Sequence, residues 1–140
     1  MKNILVAVDG SEPCQRAAER ALELAKSLST KITVITVIAP VPNHWAGSPL
    51  YTEKLIQKQE EHAHEVAEKY KEFFEKEGIE AATAVQKGDP AEEINTAASA
   101  GDYYMVVMGS RGLTGIKRAL LGSVANYVVQ SCKIPVLVVK

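Results

Sequence analysis

The chain has 140 residues, a net charge of −1, 46% hydrophobic residues and 24% charged residues. That length suits one domain, residues 1–140, with a sizeable core, and the near-neutral balance excludes a global polycation built for nucleic acid. No apolar stretch approaches the roughly 20 residues of a membrane span; no secretory leader is apparent, and Cys14 and Cys132 stand apart without a CxxC pair, so a cytoplasmic protein is expected.

Asn3-Ile4-Leu5-Val6-Ala7-Val8 is a near-continuous apolar run, the mark of a strand buried on both faces. Asp9-Gly10-Ser11 stops it. Ser11 suits an N-cap, and Pro13 sits in the first turn, where a missing N–H costs little. Ala17, Ala18, Ala21, Leu22, Ala25 and Leu28 then mark one face of a helix that runs to about Leu28. Lys31 to Ile38 reads as a second strand, rich in β-branched residues. Ala39 to Leu50 holds three prolines and a glycine and reads as a long loop, of the kind that is functional or mobile.

A long amphipathic helix follows over Tyr51 to Glu77. Leu55, Ile56, Ala63, Val66, Ala67, Tyr70, Phe73 and Phe74 lie on one face, and Gly78 ends it. Glu80 to Gln86 reads as a third strand, the most polar one and so an edge. Asp89 caps the next helix, with Pro90 at its first position; that helix covers about Ala91 to Ala98. Tyr104 to Met108 is strand four, a helix spans Leu120 to Ser131, and Ile134 to Val139 is strand five. Strands alternating with helices give an α/β fold with a parallel sheet covered on both faces.

Between strand four and the last helix lies a loop with Gly109, Gly112 and Gly115 and the cations Arg111, Lys117 and Arg118. From Gly109 to Lys140 there is no Asp or Glu. Glycines allow close backbone approach to a ligand. The first amides of a helix lack intrahelical partners and carry partial positive charge. A strand, a basic glycine loop and a helix N-terminus together make a site for a small anion such as phosphate. One helix terminus contributes only ~0.3–2 kcal/mol, against about 8 kcal/mol for micromolar binding. Several amides would therefore have to act together with burial of the rest of the ligand.

Gly109, two residues, Gly112, nine residues and Gly122-Ser123 form the G-2x-G-9x-G-S/T spacing of the nucleotide-binding branch of the universal stress protein family, which the chain resembles. Val6-Ala7-Val8-Asp9-Gly10-Ser11, Gly88-Asp89-Pro90 and Ile134-Pro135-Val136-Leu137-Val138-Val139 extend the resemblance over essentially the whole chain. It implies a single-domain, open five-stranded parallel sheet of Rossmann-like type, with strand order 3-2-1-4-5. Ligands of such sheets sit where strand order reverses, here between strands one and four. The resemblance also implies site roles. Gly109, Gly112 and Gly122 would wrap phosphates, Ser123 would donate its hydroxyl and amide, and Val124 would donate an amide. Asp9 and the backbone of Val37 would lie near adenine and ribose, with Met108 walling the base. Arg111, Lys117 and Arg118 would add charge that the motif does not require.

Plainer readings stand beside these. The glycines would make turns, Ser123 would cap its helix, and Asp9 would bond its own turn. His62 and His64 fall on different helix faces and make a poor metal pair. His44 and Trp45 belong to a lid or to a loose loop. Cys14, in a first helical turn, is a redox centre or a packed small residue, whereas Cys132 fits an apolar stripe. Neither the P-loop nor the dinucleotide fingerprint is present. The expected function is an ATP-binding stress-response sensor or switch, with Mg²⁺ or Mn²⁺ carried by the phosphates. A slow ATPase and a nucleotide-free dimeric scaffold are the alternatives. Ile134 to Val139, as an exposed apolar edge, predicts a homodimer through that strand.

Overall fold

The computed structural model describes residues 2–40, 49–111 and 121–140, with the side chains of residues 49–52 outside that description. Gly112, Gly115, Lys117, Arg118 and Leu120, and likewise His44 and Trp45, lie outside the described residues. The elements run β1 (Asn3–Ala7), α1 (Glu12–Leu28), β2 (Ile32–Ile38), α2 (Pro49–Lys76), β3 (Ala81–Lys87), α3 (Pro90–Ala100), β4 (Tyr103–Gly109), α4 (Ser123–Ser131) and β5 (Val136–Val139). All strand pairs are parallel, in the order β3-β2-β1-β4-β5. The polar third strand is an edge, as its composition predicts.

Strand alternation divides the core between two helical layers. Ile4, Val6, Val8, Val34 and Val107 pack under α1 and α2 with Ala17, Ala21, Val66, Tyr70 and Phe74. Leu5, Ala7, Ile35, Val106 and Met108 pack under α3 and α4 with Ile94, Ala98, Ala125 and Val128. Small residues on α1 let it lie close to the sheet: Ala17, Ala18, Ala21 and Ala25 are fully buried.

Several boundaries differ from the sequence reading. Helix α2 starts at Pro49 rather than Tyr51, and its Ile56 is exposed at 37%. Along the apolar stripe of α2, Leu55 is half-buried and full burial begins at Ala63. Asp89 does cap α3, its carboxylate accepting the Glu92 amide at 3.1 Å, and α3 runs on to Ala100. Helix α4 begins at Ser123 rather than Leu120. The Gly122 amide donates to the Ser110 carbonyl at 2.7 Å, which holds the chain against the end of β4 before the helix can start. Leu121 is accordingly outside the helix and 39% exposed. Strand β5 begins at Val136 rather than Ile134; Pro135 has no N–H to give, although its carbonyl accepts the Val106 amide. Ser11 occupies the N-cap position of α1, but its hydroxyl makes no cap bond. Asp9 supplies the turn bond instead, Oδ1 accepting the Ser11 amide at 2.9 Å.

Gly109 is fixed by packing. A Cβ there would lie 2.8 Å from Pro13 Cβ and 2.9 Å from the Pro13 carbonyl carbon. The first turn of α1 therefore sits directly against the end of β4. Gly109→Ala is expected to destabilise the fold by about 1–3 kcal/mol, the usual range for overpacking. Denaturant unfolding checks this, and an unchanged midpoint would mean that α1 shifts freely.

Candidate functional site

Helices α1 and α2 cover one face of the sheet and α3 and α4 the other, so the chain leaves β1 and β4 in opposite directions. The carboxyl ends of these two neighbouring strands flank a cavity of about 410 Å³. That is within the size range of small-molecule sites. Asp9, Val37, Met108, Gly109, Arg111, Gly122, Ser123 and Val124 all line it. Of the residues given site roles from the family resemblance, Gly112 lies outside the described residues.

Three features give the cavity its chemistry. First, β2 outruns β1. The ladder ends at Ala7 opposite Ile35, with one further bond from the Val8 amide to the Ile35 carbonyl. Within a parallel strand, successive residues direct their backbone groups to alternate sides. The Ile35 carbonyl points toward β1, and the Ile38 carbonyl, which accepts the Gly88 amide, points toward β3. The Val37 N–H and C=O therefore point toward the β1 side, beyond the end of β1. Together they form an adjacent donor and acceptor at the cavity wall.

Second, α4 opens on the cavity with Gly122, Ser123, Val124 and Ala125. Gly122 is the N-cap and its carbonyl accepts the Asn126 amide at 2.8 Å. The helix thus directs its partial positive end at this space, with Arg111 on the same wall. Third, Asp9 stands between these two features. It is partly buried, and its Oδ1 is committed to the Ser11 amide. Gly10, the next residue, takes φ +84° and makes the turn tight.

Sequence reasoning missed the contribution of α2 and α3. Gln59, His62, Ala63 and Val66 line the cavity from α2, and Pro90 and Ile94 line it from α3. No local motif marks them, and only the apolar stripe of α2 hinted at Ala63 and Val66. His62 and His64 are both exposed, and among the described residues no cluster of His, Cys, Asp and Glu is arranged to hold a metal. Among the described residues no helix is long and apolar enough to cross a membrane. Cys132 packs against the α3/α4 core.

Cys14 is buried and lines the cavity. Its thiol donates to the Tyr70 hydroxyl at 3.3 Å, and Tyr70 in turn donates to Gln15 Oε1 at 3.0 Å. This chain of bonds ties α1 to α2 behind the cavity. Burial, and then the bond with Cys14, push the Tyr70 phenol above the ordinary tyrosine range.

A family model described as the universal stress protein family matches residues 1–140. The chain belongs to the universal stress protein family. The universal stress protein MJ0531 of Methanocaldococcus jannaschii is 35% identical over 141 residues, covering 99% of this chain and 82% of that protein. YxiE of Bacillus subtilis, also a universal stress protein, is 30% identical over 150 residues, covering 98% and 97%. The solved structure of UspA from Lactobacillus plantarum superposes with a TM-score of 0.86 at 24% identity, over 99% of this chain and 97% of that one. Two other family structures hold nucleotides. One is from Archaeoglobus fulgidus in complex with dAMP (TM-score 0.72, 24% identity, covering 100% and 98%). The other is from Arabidopsis thaliana with AMP bound (TM-score 0.74, 22% identity, covering 100% and 92%). At these identities the solved structures establish the shared fold, and the nucleotides belong to those proteins.

The raised Tyr70 value carries a sign. A phenol kept neutral by the fold stabilises it fully below the unfolded tyrosine value of about 10, and that contribution is lost as pH rises through the folded value. The wild-type denaturation midpoint is expected to fall more steeply above about pH 10 than that of Tyr70→Phe. Parallel pH profiles for the two proteins would show this network to be inert.

Proposed function

We propose that this universal stress protein is a cytoplasmic adenine-nucleotide-binding module, folding as one unit over residues 1–140, that takes ATP and acts as a stress-response sensor or switch. One observation carries the reading. The paired Val37 N–H and C=O and the N-terminus of α4 open on the same cavity. Adenine offers an acceptor nitrogen beside an amino donor, the complement of one extended residue's backbone pair. Phosphates are the complement of helix-terminal amides. Asp9, between them, suits ribose hydroxyls through the carboxylate oxygen not committed to Ser11. Met108 and Ile94 provide apolar walls. The dAMP and AMP held by two structurally similar family members agree with this ligand class.

A divalent ion, Mg²⁺ or Mn²⁺, would be carried by the phosphates. Signalling by occupancy is favoured over turnover, because Asp9 is the one carboxylate on the cavity wall among the described residues and it already holds the β1–α1 turn.

The backbone at Gly122 has φ −62° and ψ 154°, which any residue adopts. Gly122→Val therefore blocks phosphate approach without backbone strain. Calorimetric titration of ATP is expected to give micromolar affinity in the wild type and at least a tenfold loss in this variant, about 1.4 kcal/mol or more. Wild-type protein that takes up no adenine nucleotide at millimolar concentration would leave the nucleotide-free scaffold as the reading.

The dimer belongs to the same proposal. Strand β5 has a partner, β4, on one side only, and Leu137 on it is 37% exposed. Pairing with the same strand of a second copy would cover this edge. The wild type is expected to show a dimer mass by light scattering at micromolar concentration and Leu137→Lys a monomer mass. A monomeric wild type refutes the dimer.

A further inference from the structure

On one half of the cavity, Val37 and Met108, assigned to the base, face the α3/α4 layer together with Ala7 and Ile35. The other half faces α1 and α2. Val8, Thr36, Ala63 and Val66 wall it, and Gln59 and His62 stand on α2 at its border.

Three observations bear on what fills it. Gln59 and His62 are three residues apart on one helix and so share a side of it, the side that lines the cavity. His62 Nε2 lies 3.8 Å from the point where a Cβ on Gly10 would sit, which places the imidazole over the Asp9-Gly10 turn. Thr36 is only 5% exposed, and its hydroxyl has no hydrogen-bond partner among the described residues. A buried hydroxyl without a partner is uncommon, and this one belongs to a residue on the cavity wall.

The sheet geometry gives these observations a common meaning. The backbone N–H and C=O of Val37 lie in the plane of the sheet and point toward the β1 side. A planar base bonded to it edge-on turns one face to each helical layer. The α3/α4 side offers Met108 and Ile94 to one face. The opposite face is turned toward the half lined by α2.

We propose that α2 supplies the second wall of the base site, with the His62 imidazole laid over the ring face that looks toward the α1/α2 layer. His62 is then an affinity- and specificity-determining residue for the base, and the unpartnered Thr36 hydroxyl faces the same ring. This inference rests on the adenine reading above. Because the contact is with the base, it must be felt equally by ligands with and without phosphates.

The test is calorimetric titration of adenosine and of ATP into wild type, His62→Ala and His62→Phe. His62 is exposed, so neither substitution threatens the fold. His62→Ala is expected to weaken both ligands by the same factor, about tenfold, the scale of one stacked aromatic on a base. His62→Phe is expected to restore both, since it keeps a flat ring and removes the titratable nitrogens. Wild-type affinity for both ligands in His62→Ala overturns the inference and leaves the adenine reading standing. A loss confined to ATP and not restored by phenylalanine also overturns it, making His62 a phosphate-side charge. A wild type that binds neither ligand removes the adenine reading and this inference with it.

Discussion

The reversal of chain direction at β1 is the constraint on which the rest depends. Strand β1 lies between β2 and β4. The two crossovers through α1 and α2 cover one face, and those through α3 and α4 cover the other. Right-handed crossovers leave no alternative for a parallel sheet with this strand order. Helices that diverge from neighbouring strands cannot fill the space between their starts. The cavity is therefore a consequence of topology, and the side chains at the strand ends only determine what it accepts.

The cavity edge is held by contacts with different physical origins. Gly109 lacks a Cβ because Pro13 occupies that space. Gly10 takes a left-handed turn that side chains resist. Gly122, by contrast, has dihedrals open to any residue, and its amide is spent on the Ser110 carbonyl. Two glycines around one site thus have separate explanations, Gly109 in packing and Gly10 in backbone conformation. Ser110 joins the arrangement from the other side, its amide donating to the Val139 carbonyl at 2.8 Å. The end of β4, the start of α4 and the end of β5 are locked together by these two bonds.

Much of this was legible in the sequence because it is local. Apolar runs bounded by turn residues located four of the strands and a weaker, more polar alternation the third, and Asp89-Pro90 fixed the start of α3 through a cap and a missing amide that act within a few residues. Strand order came from the family resemblance, since nothing local encodes which strand lies beside β1. The start of α4 was misplaced because Leu120 and Leu121 continue an apolar rhythm that a single tertiary bond, Gly122 to Ser110, interrupts. From sequence, His62 reads only as one of a poor metal pair with His64. It is exposed, yet it also lines the cavity, a property set by where α2 lands on the sheet rather than by its neighbours in sequence. The plain reading of Asp9 as a turn residue is correct, and the carboxylate nevertheless lines the cavity, because one oxygen is sufficient for the turn.

Rigidity in the walls bears on how such a cavity can respond to a ligand. The bonds from Cys14 to Tyr70 and from Tyr70 to Gln15 cross between α1 and α2 in a buried region. Phe74, fully buried, anchors the far end of α2 against the sheet. Before Ala63, Leu55 and Gln59 are half-buried and Glu60 pairs with Lys87 at the end of β3. Helix α2 is thus tied to the sheet by apolar burial from Ala63 onward and by an ion pair before it. Gln59 and His62, which line the cavity, lie where one kind of contact gives way to the other.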